Sequence, residues 1–129
     1  MELQSHKILL IEEEAVLRDI TEFRLELLGF QVMAVDSART ANQELEEQLP
    51  GLIILGTAAE TDSLEFLNHL SNEPRTSEIP VIYLSGSSDM EDVKKAFNAG
   101  ADEFLVIPYD PQILEKKVQE FVSAIPIME

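Results

Sequence analysis

The sequence predicts an α/β fold built as a doubly wound, five-stranded parallel sheet with helices on both faces. Three observations predict it. Five short apolar runs alternate strictly with five longer amphipathic runs, the pattern of parallel strands joined by right-handed helical crossovers. The short runs are apolar almost throughout, as strands covered on both faces must be. The chain has 129 residues, 45% of them hydrophobic, which suits one domain with one core.

The elements follow in order. Ile8 to Ile11 is the first strand. Glu14 to Leu28 is the first helix, where Val16, Ile20, Phe23 and Leu27 recur at i, i+4, i+7 and i+11 as the expected inward stripe. Gly29 stands at the position that closes a helix. Phe30 to Val35 is the second strand. Asp36 or Ser37 caps a helix running to Leu49, with Leu45 and Leu49 on one side. Pro50-Gly51 reads as a turn, and Leu52 to Leu55 as the third strand. Asp62 and Ser63 offer caps for a helix through Leu64, Leu67 and Leu70. "SNEPRTSEIP" is a loop, and Val81 to Leu84 is the fourth strand. Ser87, Ser88 or Asp89 caps a helix carrying Val93 and Phe97 and closed by Gly100. Glu103 to Ile107 is the fifth strand. Asp110 then precedes Pro111, a cap followed by a favoured first helical residue. The last helix carries Ile113, Leu114, Val118, Phe121 and Val122. The domain is expected to span residues 7–123. Residues 1–6 form an amino-terminal tail, and the apolar residues 124–129 a carboxy-terminal tail or truncated linker.

Charge and composition exclude several functions. Twenty-five acidic and nine basic residues give a net charge of −16. Such a chain is expected to make no direct contact with nucleic acid or an anionic membrane, because phosphate binding rests on Lys and Arg. There is no cysteine, which removes disulfides, thiol catalysis and thiolate metal sites. Met1 to Lys7 lacks the apolar core of a signal peptide, and no apolar run nears the roughly 20 residues of a membrane span. A cytoplasmic location is expected.

In open α/β sheets the site lies at the carboxyl ends of the strands. Those ends offer Glu12-Glu13-Glu14, Gly56, Ser85-Gly86 and Ile107-Pro108. Here the chain resembles the receiver domain of bacterial response regulators. "ILLIEEEAVLR" is similar to the family's first strand with its acidic pair, and Arg18 falls where the family often has Arg. "LPGLIILG" resembles the segment ending in the phosphorylated aspartate. "IPVIYLSG" resembles the fourth strand, and "AGADEFLVIPY" the stretch that carries a Lys-Pro pair. The resemblance implies a flavodoxin-like strand order 2-1-3-4-5 and a cis peptide bond at Ile107-Pro108.

It also implies a degenerate member. The family's phosphoacceptor aspartate would stand at position 56, where this chain has Gly56. The lysine that pairs with phosphoryl oxygens would stand at position 107, where it has Ile107. The acidic pair that would hold Mg²⁺ is Glu12 and Glu13, each one methylene longer, and the loop 57–62 reads one residue short. Acyl phosphate chemistry needs an attacked oxygen, a hard cation on carboxylates and a positive clamp. The joint loss of acceptor and clamp keeps the pocket's charge balanced.

The degenerate pocket is therefore Glu12, Glu13, Gly56, Ser85 and Ile107. No catalytic residue, phosphoacceptor, cofactor or metal site is expected. Glu12 and Glu13 are weak metal candidates, more simply read as solvated surface charge. Ser85 is expected to bond water or backbone. His69 is expected on the surface, and His6 in the tail.

The leading expectation is a signalling module that regulates a protein partner, such as a kinase, an output domain or another regulator, without phosphorylation and without enzymatic activity. By resemblance the output surface spans Asp89 to Val122, with Lys94, Lys95, Phe104, Tyr109, Lys116 and Lys117 as expected exposed members. A homodimer contact is a further candidate. The alternatives are a small-ligand sensor using space left by Gly56, Ala58, Ala59 and Gly86, and a receiver phosphorylated on a hydroxyl such as Thr57 or Ser85.

Overall fold

The computed structural model describes residues 3–58 and 62–122, with side chains from His6 onward. Residues 59–61 and 123–129, on which the expectations for Ala59, for the length of the loop 57–62 and for the carboxy-terminal tail fall, lie outside the described residues. Ten elements alternate: β1 (Leu3–Ile11), α1 (Ala15–Leu27), β2 (Gln31–Val35), α2 (Ala38–Glu47), β3 (Leu49–Leu55), α3 (Ser63–Asn72), β4 (Val81–Ser85), α4 (Met90–Ala99), β5 (Glu103–Val106) and α5 (Pro111–Phe121). The sheet order is β2-β1-β3-β4-β5 and every pairing is parallel.

The helix starts follow capping chemistry. Side-chain oxygens of Glu14, Ser37, Asp62, Asp89 and Asp110 each accept a hydrogen bond from a backbone N–H in the first turn of the following helix. Pro111 opens α5 directly behind its cap. Gly100 closes α4 with φ 124°, a conformation L side chains rarely adopt. It also lets Ser71 approach, whose Oγ donates to Ala99 O at 2.7 Å.

Strand alternation divides the core in two. Leu9, Ile11, Ile53 and Leu55 face a cluster with Leu45, Phe66, Leu67 and Leu70. Ile8, Leu10, Leu52 and Ile54 face another with Leu25, Phe30, Leu114 and Val118. All eight strand residues are buried to within 1%. Burying each such side chain is worth about 1.5–3 kcal/mol.

Four expectations are corrected. The stripe assigned to the inside of α1 points outward: Val16, Ile20, Phe23 and Leu27 are 63%, 53%, 62% and 68% exposed. The helix carries two apolar stripes. The one against the sheet runs through half-buried Leu17, buried Thr21 and Leu25, and half-buried Leu28, and the threonine breaks its apolar pattern. Second, Pro50-Gly51 is strand, not turn, and Leu49 belongs to β3 rather than to the preceding helix. Pro50 pairs with Gln4 of β1, while β4 joins β3 only from Ile53 onward, so the missing N–H falls where one flank has no ladder. Third, β1 begins at Leu3 and takes up residues assigned to the tail, His6 among them. Fourth, Phe97 and Ile113 are exposed rather than packed inward, 44% and 49%.

Candidate functional site

Parallel strands bring the ends of β1, β3, β4 and β5 to one edge of the sheet. The backbone there is stitched across β1 and β3: Gly56 N–H donates to Ile11 O at 2.8 Å, and Glu13 N–H to Thr57 O at 2.8 Å. Arg18 Nη1 donates to the main-chain oxygens of Glu12 at 2.9 Å and Glu13 at 3.4 Å, fixing the turn after β1.

Glu12 turns into this edge rather than into solvent. Its residue is 2% exposed, which corrects the expectation of a solvated surface charge. Its Oε2 accepts from Thr57 Oγ1 at 2.6 Å and from Glu14 N–H at 2.9 Å, and its Oε1 accepts from Thr57 N–H at 3.3 Å. These donors offset the cost of burying a carboxylate, which unpaired would be prohibitive. Neither ion pair found among the described residues involves it.

The carboxylate lies in the space a side chain at position 56 would need. A Cβ built on Gly56 overlaps Glu12 Oε1 outright, and sits 3.1 Å from Glu12 Cδ and 3.3 Å from Ile11 O. The extra methylene at position 12 and the absent side chain at position 56 are complementary: one fills what the other vacates. Ser63 Oγ donates to Gly56 O at 2.8 Å and ties the start of α3 to the same edge.

The donor set does not fit a hard divalent cation. Glu12 has both oxygens committed to protein donors, Gly56 offers no oxygen from a side chain, and Glu13 is the remaining exposed carboxylate of the expected pair. Mg²⁺ demands near-octahedral oxygen ligation. Among the described residues no group of three His, Cys, Asp or Glu side chains is placed to hold a metal ion.

The remaining pocket residues separate. Ser85 Oγ accepts from Ser87 N–H at 3.1 Å, a local turn contact. Gly86 borders open space, with nothing within 4 Å of an added Cβ. Ile107 packs against the cluster of Ile8 and Leu10, and its bond to Pro108 is cis. The space expected for a small ligand at Gly56 is filled by Glu12, and Ala58 is buried in the core. A cavity of about 130 Å³ lies elsewhere, between α1 and the start of α5, walled by Leu17, Ile20, Thr21, Ile107, Tyr109 and Leu114 among others.

The expected partner face is partly corrected. Lys94, Lys95 and Lys116 are exposed. Lys117 is half-buried, its Nζ on Glu103 Oε2 at 2.9 Å. Burial pushes the Glu103 carboxyl up, but the Lys117 hydrogen bond, the Phe104 N–H and the Lys117 charge outweigh it and hold it below the ordinary range. Phe104 is half-buried, its ring 5.9 Å from that of Tyr83. Tyr109 is half-buried, its hydroxyl 2.9 Å from Thr21 Oγ1. Burial raises the Tyr109 phenol and the Glu12 charge adds to this, against the Thr21 bond. His69 is exposed as expected and stacks on Phe66, ring centroids 6.2 Å apart.

Sequence reasoning missed Thr57 as the partner of Glu12. The signal was the pairing of a longer acid at position 12 with a glycine followed by a hydroxyl at positions 56 and 57.

A family model described as the response regulator receiver domain matches residues 8–119. The chain is 31% identical over 125 residues to the phosphate regulon transcriptional regulatory protein PhoB of Escherichia coli, covering 96% of this chain and 55% of that protein. It thus spans about half the length of the curated relatives it matches. Among solved structures, the signal receiver domain of a signal transduction histidine kinase from Syntrophus aciditrophicus is 30% identical, with a TM-score of 0.83, covering 96% of this chain and 95% of that one. The chemotaxis response regulator CheY4 of Vibrio cholerae shares the fold, with a TM-score of 0.84 at 20% identity over 92% of this chain and 100% of that one.

Proposed function

Since the chain belongs to the response regulator receiver domain family, and so to two-component signalling, we propose that it is a pseudo-receiver, which works by binding a protein partner and accepts no phosphoryl group. The observation that carries this reading is the occupation of position 56 by the Glu12 carboxylate. An acyl phosphate forms on a carboxylate oxygen exposed to the donor. Gly56 has none. Glu12 reaches the place, but it is buried and both its oxygens already accept hydrogen bonds. Ile107 supplies no positive charge for incoming phosphoryl oxygens, and its side chain serves the core.

The consequence is a domain held in one state. The contacts of Glu12 with Thr57 tie the turn after β1 to the loop after β3 without any ligand. Regulation then comes from the presence and concentration of the partner. Exposed Lys94, Lys95 and Lys116 stand out on a chain of net charge −16 and suit an acidic partner surface. The module has no chemistry of its own in this reading and needs no cofactor.

The test is beryllofluoride with Mg²⁺, followed by amide NMR. This mimic of a phosphoryl group needs a receptive carboxylate at position 56. The spectrum is expected to stay unchanged. Shifts confined to residues 12, 13, 56, 57 and 85 would overturn the reading.

A further inference from the structure

We propose that the outward face of α1 is a self-association surface on which a second copy of this chain pairs its own α1 in parallel. The proposal is independent of the phosphorylation chemistry. Val16, Ile20, Phe23 and Leu27 are spaced +4, +3, +4, which is the d-a-d-a repeat of a coiled-coil seam. All four are more than half exposed. At 100° per residue, the centre of this stripe lies about 150° around the helix from Thr21 and Leu25, which pack on the sheet. The seam therefore looks away from the domain, and a second helix reaches it without disturbing the core.

The charges beside the seam choose the occupant and its direction. With Ile20 and Leu27 at a and Val16 and Phe23 at d, Asp19 and Glu26 fall at g, and Leu17 and Arg24 at e. A parallel pair places each g residue against the e residue five positions on in the other chain. Asp19 then meets Arg24 of the second copy, and twofold symmetry makes the contact twice. An antiparallel pair would set the acidic g positions against each other. Arg24 uses Nε on Glu115 at 2.5 Å, and a guanidinium has four further N–H donors for a second carboxylate. The cavity between α1 and α5, which Ile20 lines, continues the apolar surface beside the seam.

Fewer than two heptads bury less than the about 800 Å² per partner of a standard interface, so the dimer is weak and concentration dependent. The net charge of −16 per chain also makes it stronger at raised salt, until the Asp19–Arg24 contacts are screened.

The chain has no cysteine, so single cysteines report geometry directly. Sedimentation of the full chain from micromolar to millimolar concentration is expected to show a monomer–dimer equilibrium. Phe23→Glu puts a charge in the seam and is expected to raise the dimer dissociation constant about 100-fold or more, with an unchanged circular dichroism spectrum because the site is exposed. Asp19→Lys is expected to weaken the dimer about 3- to 10-fold. Under mild oxidation Ile20→Cys forms an intermolecular disulfide, since a parallel pair brings a to a. Three results each overturn the proposal: a monomer at all concentrations, a Phe23→Glu protein that still dimerises, or crosslinking only in mixtures of Val16→Cys and Leu27→Cys, which marks antiparallel pairing.

Discussion

Gly56→Ala adds one methyl group at the strand end and tests the filled site directly. The new Cβ falls on Glu12 Oε1 and within 3.3 Å of Ile11 O. The main-chain oxygen is held by Gly56 N–H at 2.8 Å, so the carboxylate must move instead. Sterically that is easy for the end of a flexible side chain. Energetically it breaks the contacts to Thr57 Oγ1, Thr57 N–H and Glu14 N–H. Hydrogen bonds to a charged group are each worth about 1.5–3 kcal/mol, but a carboxylate swung into water recovers much of that. The expected net loss is about 1–3 kcal/mol. The assay is urea denaturation at neutral pH of wild type, Gly56→Ala, Glu12→Ala and the double variant. Glu12→Ala empties the space and leaves Thr57 and Glu14 donors to water. Adding the methyl group to that background is expected to cost under about 0.5 kcal/mol, giving a coupling energy of about 1 kcal/mol or more. If the two losses add to within about 0.5 kcal/mol, the side chains do not share one space, and the reasoning fails.

Further outcomes follow from the same structure. Gly56→Asp places a second carboxylate against Glu12, which raises carboxyl pKa values in the folded state; a raised carboxyl destabilises above its folded pKa, so its deficit against wild type is expected to shrink as pH falls from neutral toward 5, read by urea midpoints at each pH. Glu103 is held below its ordinary 4.5 with Lys117 beside it; a depressed carboxyl stabilises above its unfolded pKa and loses this as pH falls through the folded one, so Lys117→Met is expected to cost up to about 1 kcal/mol at neutral pH and nothing in acid. Gly100→Ala forces φ 124° on an L residue and brings its Cβ to 2.7 Å from Ser71 Oγ; a loss of about 1–3 kcal/mol is expected by thermal denaturation, and an unchanged midpoint would contradict it.

The two-sided parallel sheet was readable because β1, β3 and β4 are apolar runs that only such a sheet explains; its strand order came from the family resemblance, and the site was readable because its positions fall at strand ends. The inward side of α1 was not readable. Periodicity reports that a stripe exists, and α1 has two; Thr21 made the sheet-facing one look weaker, and only its contact with Tyr109 shows how a hydroxyl is accommodated there. Pro50-Gly51 carried a turn signal that a ladder one-sided at that point overrode. At the site, the absence at position 56 was plain in the sequence. What replaced it was not, because filling a space is a property of Glu12 and Gly56 jointly, 44 residues apart in the chain. Lys117 was counted as exposed because Glu103, which holds it, lies on a different element.

The most direct measurement is intact mass after prolonged incubation of the wild-type chain with acetyl phosphate and Mg²⁺. With Glu12 in place of an acceptor at position 56, the mass is expected to remain that of the unmodified chain. A gain of one phosphoryl group that is lost on mild alkaline hydroxylamine treatment would place an acyl phosphate on a carboxylate and contradict the account.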